Sequence, residues 1–178
     1  DERRRLLMAS RDQQRRSRLK LFVCFGAMDN LDLSTVVLDA LEYLTFDFEA
    51  HFVLGPTAHN ISKVSDRIQA LDDRASLHVW PERISNLMAE CDLAIGSGGT
   101  MALERCTLGL PSILVATESN QVGQAIALQM QDAVVSVPML VAKNMAGSIN
   151  QLASSSEQLK SMQGNAFSQC DGLGVFRV

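Results

Sequence analysis

Residues 94–106 read AIGSGGTMALERC, and the reading of this stretch decides the fold. The apolar run Asp92-Leu93-Ala94-Ile95 has the look of a strand that stops at glycine. A helical pattern opens at Thr100 and carries an acid, Glu104, one turn in. The first N–H groups of a helix have no intrahelical acceptor, and the helix dipole favours negative charge there. A strand that ends on glycines and opens a helix is therefore a seat for an anion.

The same unit recurs on either side. Leu21–Phe25 is an apolar run that ends at Gly26, and residues 32–44 follow with Leu33, Val36, Val37, Ala40, Leu41 and Leu44 on one helical face. Residues 50–54 predict a second strand, 58–71 a second helix, 76–80 a third strand stopped by Pro81, and 82–90 a short helix. Around the quoted stretch, 92–95 is the fourth strand and 100–108 its helix, with Gly109 as C-terminal cap and Pro111 just beyond. Strands at 112–116 and 133–137, a helix at 120–130, and weaker helical segments at 143–153 and 156–168 complete the chain.

Strands and helices that alternate through short connections predict a parallel sheet with helices on both faces. The fold class expected is α/β, a Rossmann-like doubly wound parallel sheet of about six strands, in the order 3-2-1-4-5-6. Strands 1 and 4 are then neighbours at the switch point. The turns Gly26-Ala27-Met28 and Ser97-Gly98-Gly99-Thr100 come to lie side by side in one crevice.

Bulk properties agree with a globular domain. The 178 residues are 47% hydrophobic and 20% charged, and no apolar run approaches the roughly 20 residues that span a bilayer. Residues 1–20 hold eight of the sixteen Lys and Arg and three acids, so the rest carries eight bases against seventeen acids, a net of −9. No aromatic residues interleave those arginines, and residues 1–19 read as a basic linker helix rather than a nucleic-acid arm. Residues 20–178 are the domain proper, and the chain reads as part of a longer cytoplasmic protein. Cys24, Cys91, Cys106 and Cys170 form no C-x-x-C pair and read as small buried hydrophobes. His51 and His78 read as packed or edge histidines, while His59 follows Gly55-Pro56 and can face the crevice.

The glycine turns exclude two ligands. A P-loop needs a lysine after its last glycine, and neither turn has one. A dinucleotide fingerprint needs a third glycine where Met101 stands, and a second one after Gly26 that is also missing. A diphosphate without a nicotinamide fits better. Gly98 and Gly99 let it approach the backbone, and Ser97 and Thr100 offer hydroxyls. Glu104 shares a helix face with Thr100 and could accept from two ribose hydroxyls, or could pair with Arg105 on the surface.

The stretches FGAMD (25–29), HVWPERISNLMAECDLAIGSGGTMALERCTLGLPSILV (78–115) and ESNQ (118–121) resemble the C-terminal half of a GT-B nucleotide-sugar protein. The nearest likeness is to the UDP-sugar hydrolases of pseudaminic acid and spore-coat polysaccharide synthesis. A more distant one is to the peptidoglycan N-acetylglucosaminyltransferase. The closing DGLGVFRV is similar to the end of that family. The resemblance implies that Gly26 and Ala27, with Ser97, Gly98, Gly99 and Thr100, cradle the diphosphate of UDP. It implies that Glu104 takes the ribose, that backbone near Ile84 meets the uracil, and that Asn120 and Gln121 reach the sugar or the diphosphate. By position Asn120 could equally be a helix N-cap. The family's first turn reads F-G-G-S-D, so Ala27 and Met28 depart from it.

The resemblance further implies a second, N-terminal domain that holds the catalytic base, so no catalytic residue is assigned here. The expected partners are UDP or a UDP-sugar and that domain; no nucleic acid, membrane span, metal or cofactor is expected. The leading function is the UDP-binding half of a hydrolase that cleaves the sugar C1–O bond with water. The alternatives are the same half of a glycosyltransferase, or a binding module without chemistry.

Overall fold

The computed structural model describes residues 18–138 and 141–173. The linker helix expected before residue 18 and the closing segment after Leu173 lie outside the described residues. Six strands form one all-parallel sheet: β1 Leu19–Cys24, β2 Phe48–Leu54, β3 Ala75–Val79, β4 Leu93–Ser97, β5 Ser112–Val115 and β6 Val134–Val137. Their order is β3-β2-β1-β4-β5-β6, as the alternation of strands and helices predicts. Among the described residues seven α-helices connect and cover them: α1 Leu33–Leu41, α2 Ile61–Gln69, α3 Ile84–Glu90, α4 Thr100–Thr107, α5 Ser119–Met130, α6 Ala142–Ala153 and α7 Ser156–Gln169.

Both faces of the sheet are apolar because both are covered. Leu21, Val23, Phe52, Ile95 and Ile113 pack against α1, α2 and α6 through Val37, Val64 and Ile149. On the opposite face Phe22, Cys24 and Ala94 meet Met88 of α3, while Leu114 and Val134 meet Ala102 of α4 and Leu128 of α5. Gly109 takes a left-handed φ of 59°, ends α4 as expected, and lets α7 approach: a Cβ there would stand 2.9 Å from Phe167. Ser155 caps α7 by accepting from the Gln158 N–H at 3.1 Å.

Two of the boundaries that differ from the sequence reading bear on the site and its edge. β1 begins at Leu19, inside the segment assigned to the linker, because Leu19 and Lys20 pair with Phe48 and Glu49. Arg18 just before it bridges Asp47 at 2.8 Å and Asp73 at 2.7 Å. β4 runs on through Gly96 and Ser97, which pair with Leu114 and Val115. Ser97 is thus the last strand residue and not the first residue of the turn.

Candidate functional site

β1 and β4 are hydrogen-bonded neighbours with Cys24 opposite Gly96, so the two glycine turns leave the sheet side by side. This is the switch point, where the connection from β1 runs to one side and that from β4 to the other. The turns are held by different devices.

At the first turn, Gly26 has φ 96°, open space around its α-carbon, and no side chain to obstruct a ligand. The Ala27 carbonyl accepts from the Gly55 N–H at 2.8 Å, which ties the turn to the end of β2. A Cβ at Gly55 would sit 2.6 Å from that oxygen, so the contact needs glycine. Met28 is 43% exposed. Its sulfur accepts from the Thr57 hydroxyl at 3.3 Å, so its side chain bridges to the loop after β2. Asp29 is buried and fully employed. Its carboxylate accepts from the Leu33 and Ser34 N–H groups at 2.9 and 3.0 Å, and from Asn60 Nδ2 at 2.8 Å. It caps α1 from three residues before Asp32 and locks the turn to the start of α2. Asp32 receives Asn60 and Lys63 at 2.8 and 2.7 Å.

At the second turn, Gly98 is buried, Gly99 half-buried and Thr100 exposed. No side chain caps α4, whose N-cap is Gly99. Glu104 is exposed one turn along. Gln121 is the clamp of this turn. Its Oε1 accepts from the Gly98 N–H at 3.2 Å and from the Thr117 N–H and hydroxyl, each at 3.1 Å. One of the loop amides counted as an anion donor is therefore already bound within the protein. Gln121 Nε2 lies near Gly99, 3.7 Å from where a Cβ would stand, and Gln124 Nε2 donates to the Gly99 carbonyl at 3.3 Å.

Two further expectations are corrected, and the place of Ile84 is defined. Glu104 and Arg105 do not form a surface pair: Arg105 is fully buried and donates through Nη2 to the Ser97 carbonyl at 2.6 Å. Burial lowers the Arg105 pKa to about 10. Asn120 is not the N-cap of α5; Glu118 is, and Asn120 is the second helical residue, exposed. Ile84 begins α3, and its side chain packs with the apolar cluster of Phe22 and Met88, so only its backbone is available to a ligand.

The histidines follow the packed reading. His51 Nδ1 lies 2.9 Å from Ser76 Oγ and 3.2 Å from His78 Nε2, with Glu49 Oε1 3.1 Å from His51 Nε2. Burial lowers the pKa of both histidines. His59 is exposed at the carboxyl end of β2. Cys24, Cys91 and Cys106 are buried, and Cys170 is half-buried. Among the described residues, no group of three or more His, Cys, Asp or Glu is placed to hold a metal, and no helix is long and apolar enough to cross a membrane.

One residue escaped the sequence reading. Trp80, the sole tryptophan, directly follows β3 with a left-handed φ of 38° and is 42% exposed. Bulky residues rarely adopt that conformation, and strain of this kind collects at functional sites. The signal available was an aromatic residue directly before Pro81 at a strand's carboxyl end.

No protein-family model and no curated protein matches the sequence. Solved structures do match. MurG of Acinetobacter baumannii superposes with a TM-score of 0.82 at 16% identity, over 96% of this chain and 51% of MurG. Anabaena HepE in complex with UDP-glucose gives 0.72 at 17%, over 92% of this chain and 47% of HepE. WaaG, a glycosyltransferase involved in lipopolysaccharide biosynthesis, gives 0.68 at 15%, over 97% and 48%. The chain spans about half the length of these proteins. At such identities the likeness is one of fold, and the fold is that of one half of a GT-B glycosyltransferase.

Proposed function

We propose that this domain is the nucleotide-binding half of a GT-B enzyme that uses a UDP-sugar, and that the reaction is transfer of the sugar to an acceptor hydroxyl. The observation that carries the reading is the pair of glycine turns, side by side at the switch point, beside a helix N-terminus that no side chain caps. The complex of HepE with UDP-glucose, a protein of the same fold, supports the choice of ligand.

The roles follow from placement. The diphosphate lies against Gly26, Gly98 and Gly99, where backbone can approach it, and Ser97 and Thr100 add hydroxyls. Ala27 contributes backbone only. Negative charge that develops on UDP as the C1–O bond breaks is met by the N-terminus of α4. Glu104 accepts from the ribose hydroxyls. Trp80 offers an aromatic face for the uracil, beside the backbone at Ile84. Asn120, and Gln121 through Nε2, stand nearest the sugar. In the transfer step the acceptor oxygen forms a bond to C1, the C1–O bond to UDP breaks, and the acceptor's proton goes to a base. We assign that base to a second domain, in a cytoplasmic protein.

Hydrolysis, with water in place of the acceptor, is the second reading. It rests on the run G-x-G-G-T-x-x-x-E-R with G-L-P and N-Q, which resembles the hydrolases in sequence. The solved structures lend it no support.

The test is calorimetric titration of the chain with UDP, 2′-deoxy-UDP and NAD, in wild type and Glu104→Ala. A hydrogen bond to a charged group contributes about 1.5–3 kcal/mol. Loss of the carboxylate should weaken UDP by roughly 10- to 100-fold and 2′-deoxy-UDP by less, with NAD silent throughout. Equal affinity of wild type and variant for UDP would remove Glu104 from the site, and NAD binding as tight as UDP would overturn the reading.

A further inference from the structure

The side chain of Arg105 is the largest one wholly removed from solvent, and it is a cation. It springs from the last turn of α4 and folds back beneath β4 to hold the Ser97 carbonyl through Nη2. Its Nε and Nη1 have no hydrogen-bond partner. The slot exists because residue 96 is glycine: a Cβ there would collide with Nη1 and with the Cys24 carbonyl oxygen. The groups that face the guanidinium are the thiols of Cys24 and Cys106 and, more remotely, the carboxylate of Glu104. Burial pushes both thiols up, Cys106 to about 11, so neither supplies a counter-charge at neutral pH. A buried cation without an ion partner is costly and is retained where something else uses it.

What uses it is indicated by position. Cys24 and Gly96 are the register pair from which both glycine turns depart. The guanidinium therefore lies under the floor of the crevice, screened from water by the strands themselves. In that medium a fixed charge acts on an anion more strongly than it would in solvent. Resting on the nucleotide reading above, we propose that Arg105 is a positioning residue for the second glycine turn: it fixes the Ser97 carbonyl and sets a positive charge beneath the loop, so that the site ranks ligands by the charge of their phosphates.

Uridine, UMP and UDP are the probes, titrated by calorimetry into wild type, Arg105→Met and Arg105→Lys. Wild type should prefer UDP strongly over uridine. Arg105→Met should shrink that preference about tenfold, within the range typical of coupling between sites, and leave uridine affinity within about twofold. A structural role alone would weaken all three ligands together, and that result overturns the proposal. Should Arg105→Met fail to fold, Arg105→Lys decides the matter through its pH profile. A buried lysine loses its proton far more readily than arginine, so its UDP preference should fall between pH 7 and pH 9 while that of wild type holds. A Lys variant that keeps the wild-type preference at both pH values overturns the proposal. Wild type that binds neither UDP nor UMP would instead sink the nucleotide reading itself, which separates the two failures.

Discussion

Gly96 and Gly98 stand two residues apart in one glycine run, yet the structure gives them opposite jobs. Position 96 is inside the sheet. An alanine Cβ there would collide with the Cys24 carbonyl oxygen of the neighbouring strand and with Arg105 Nη1. Neither obstacle can yield cheaply, since one belongs to the β1–β4 ladder and the other to a buried guanidinium. Overpacking a core costs about 1–3 kcal/mol, and two rigid collisions put Gly96→Ala at the upper end, about 3 kcal/mol. For a domain of this size each kcal/mol lowers Tm by roughly 2–4 °C, so a fall of about 6–12 °C is expected. Position 98 is different. Its Cβ would meet Gln121 Cβ at 3.4 Å, an ordinary contact, and its φ is not left-handed. Gly98→Ala should melt within about 3 °C of wild type and, under the proposed reading, lose UDP affinity, because the new methyl stands beside Gln121 on the turn assigned to the phosphate. Calorimetric melting of both variants, followed by UDP titration of those that remain folded, makes the comparison. A Gly96→Ala protein that melts with wild type, or a Gly98→Ala protein that melts as low as Gly96→Ala, would refute the division between a packing glycine and an access glycine.

Asp29→Ala removes the cap of α1 and one partner of Asn60; a cap is worth about 1 kcal/mol and an unpaired buried amide about 1–3 kcal/mol more, so urea unfolding should show a loss of about 2–3 kcal/mol. Trp80 is the only tryptophan, so emission above 295 nm excitation reports on one site; UDP should change its intensity, and Trp80→Phe should weaken UDP while leaving Tm near wild type. The histidine pair makes stability pH-dependent. Burial lowers both folded-state pKa values, so below about pH 6.5 the unfolded chain binds more protons and stability falls as pH falls, levelling once the folded histidines titrate too. Melting between pH 7.5 and 5.5 should show that decline, and His51→Asn should flatten it.

The sheet was legible because each strand is a short apolar run closed by Gly or Pro, and right-handed crossovers leave few orders for such a chain. The side-by-side placement of the two glycine turns then follows from order alone. What the sequence concealed was the employment of its polar residues. Arg105 follows an exposed glutamate on a short helix, and one-dimensional spacing reads it as a second surface charge. Only the sheet shows that its side chain turns back beneath Gly96. Asn120 stands where an N-cap is expected, but α5 begins one residue earlier because Glu118 keeps extended backbone, with φ −137°. Gln121 carries the polarity of a ligand contact, and its oxygen is consumed by the Gly98 and Thr117 donors.

The commitments of these side chains bear on selectivity. Asp29, Gln121 and Arg105 are polar residues of the motif, and each is bound to the backbone of a turn. They shape the loops and, under the proposed reading, leave the phosphates to backbone N–H groups and to fixed charge. Among the side chains exposed near the two turns are Thr100, Glu104, Trp80, Asn120 and Met28. Under the proposed reading the first three address phosphate, ribose and base. That leaves Asn120 and Met28, with Gln121 Nε2, for the sugar: two amides and one thioether. Amides and a flexible apolar chain distinguish hydroxyl patterns poorly, because a buried polar group left unpaired by the wrong ligand is what rejects it. Under the proposed reading, then, this half selects the uridine diphosphate, and we assign discrimination among sugars to the second domain.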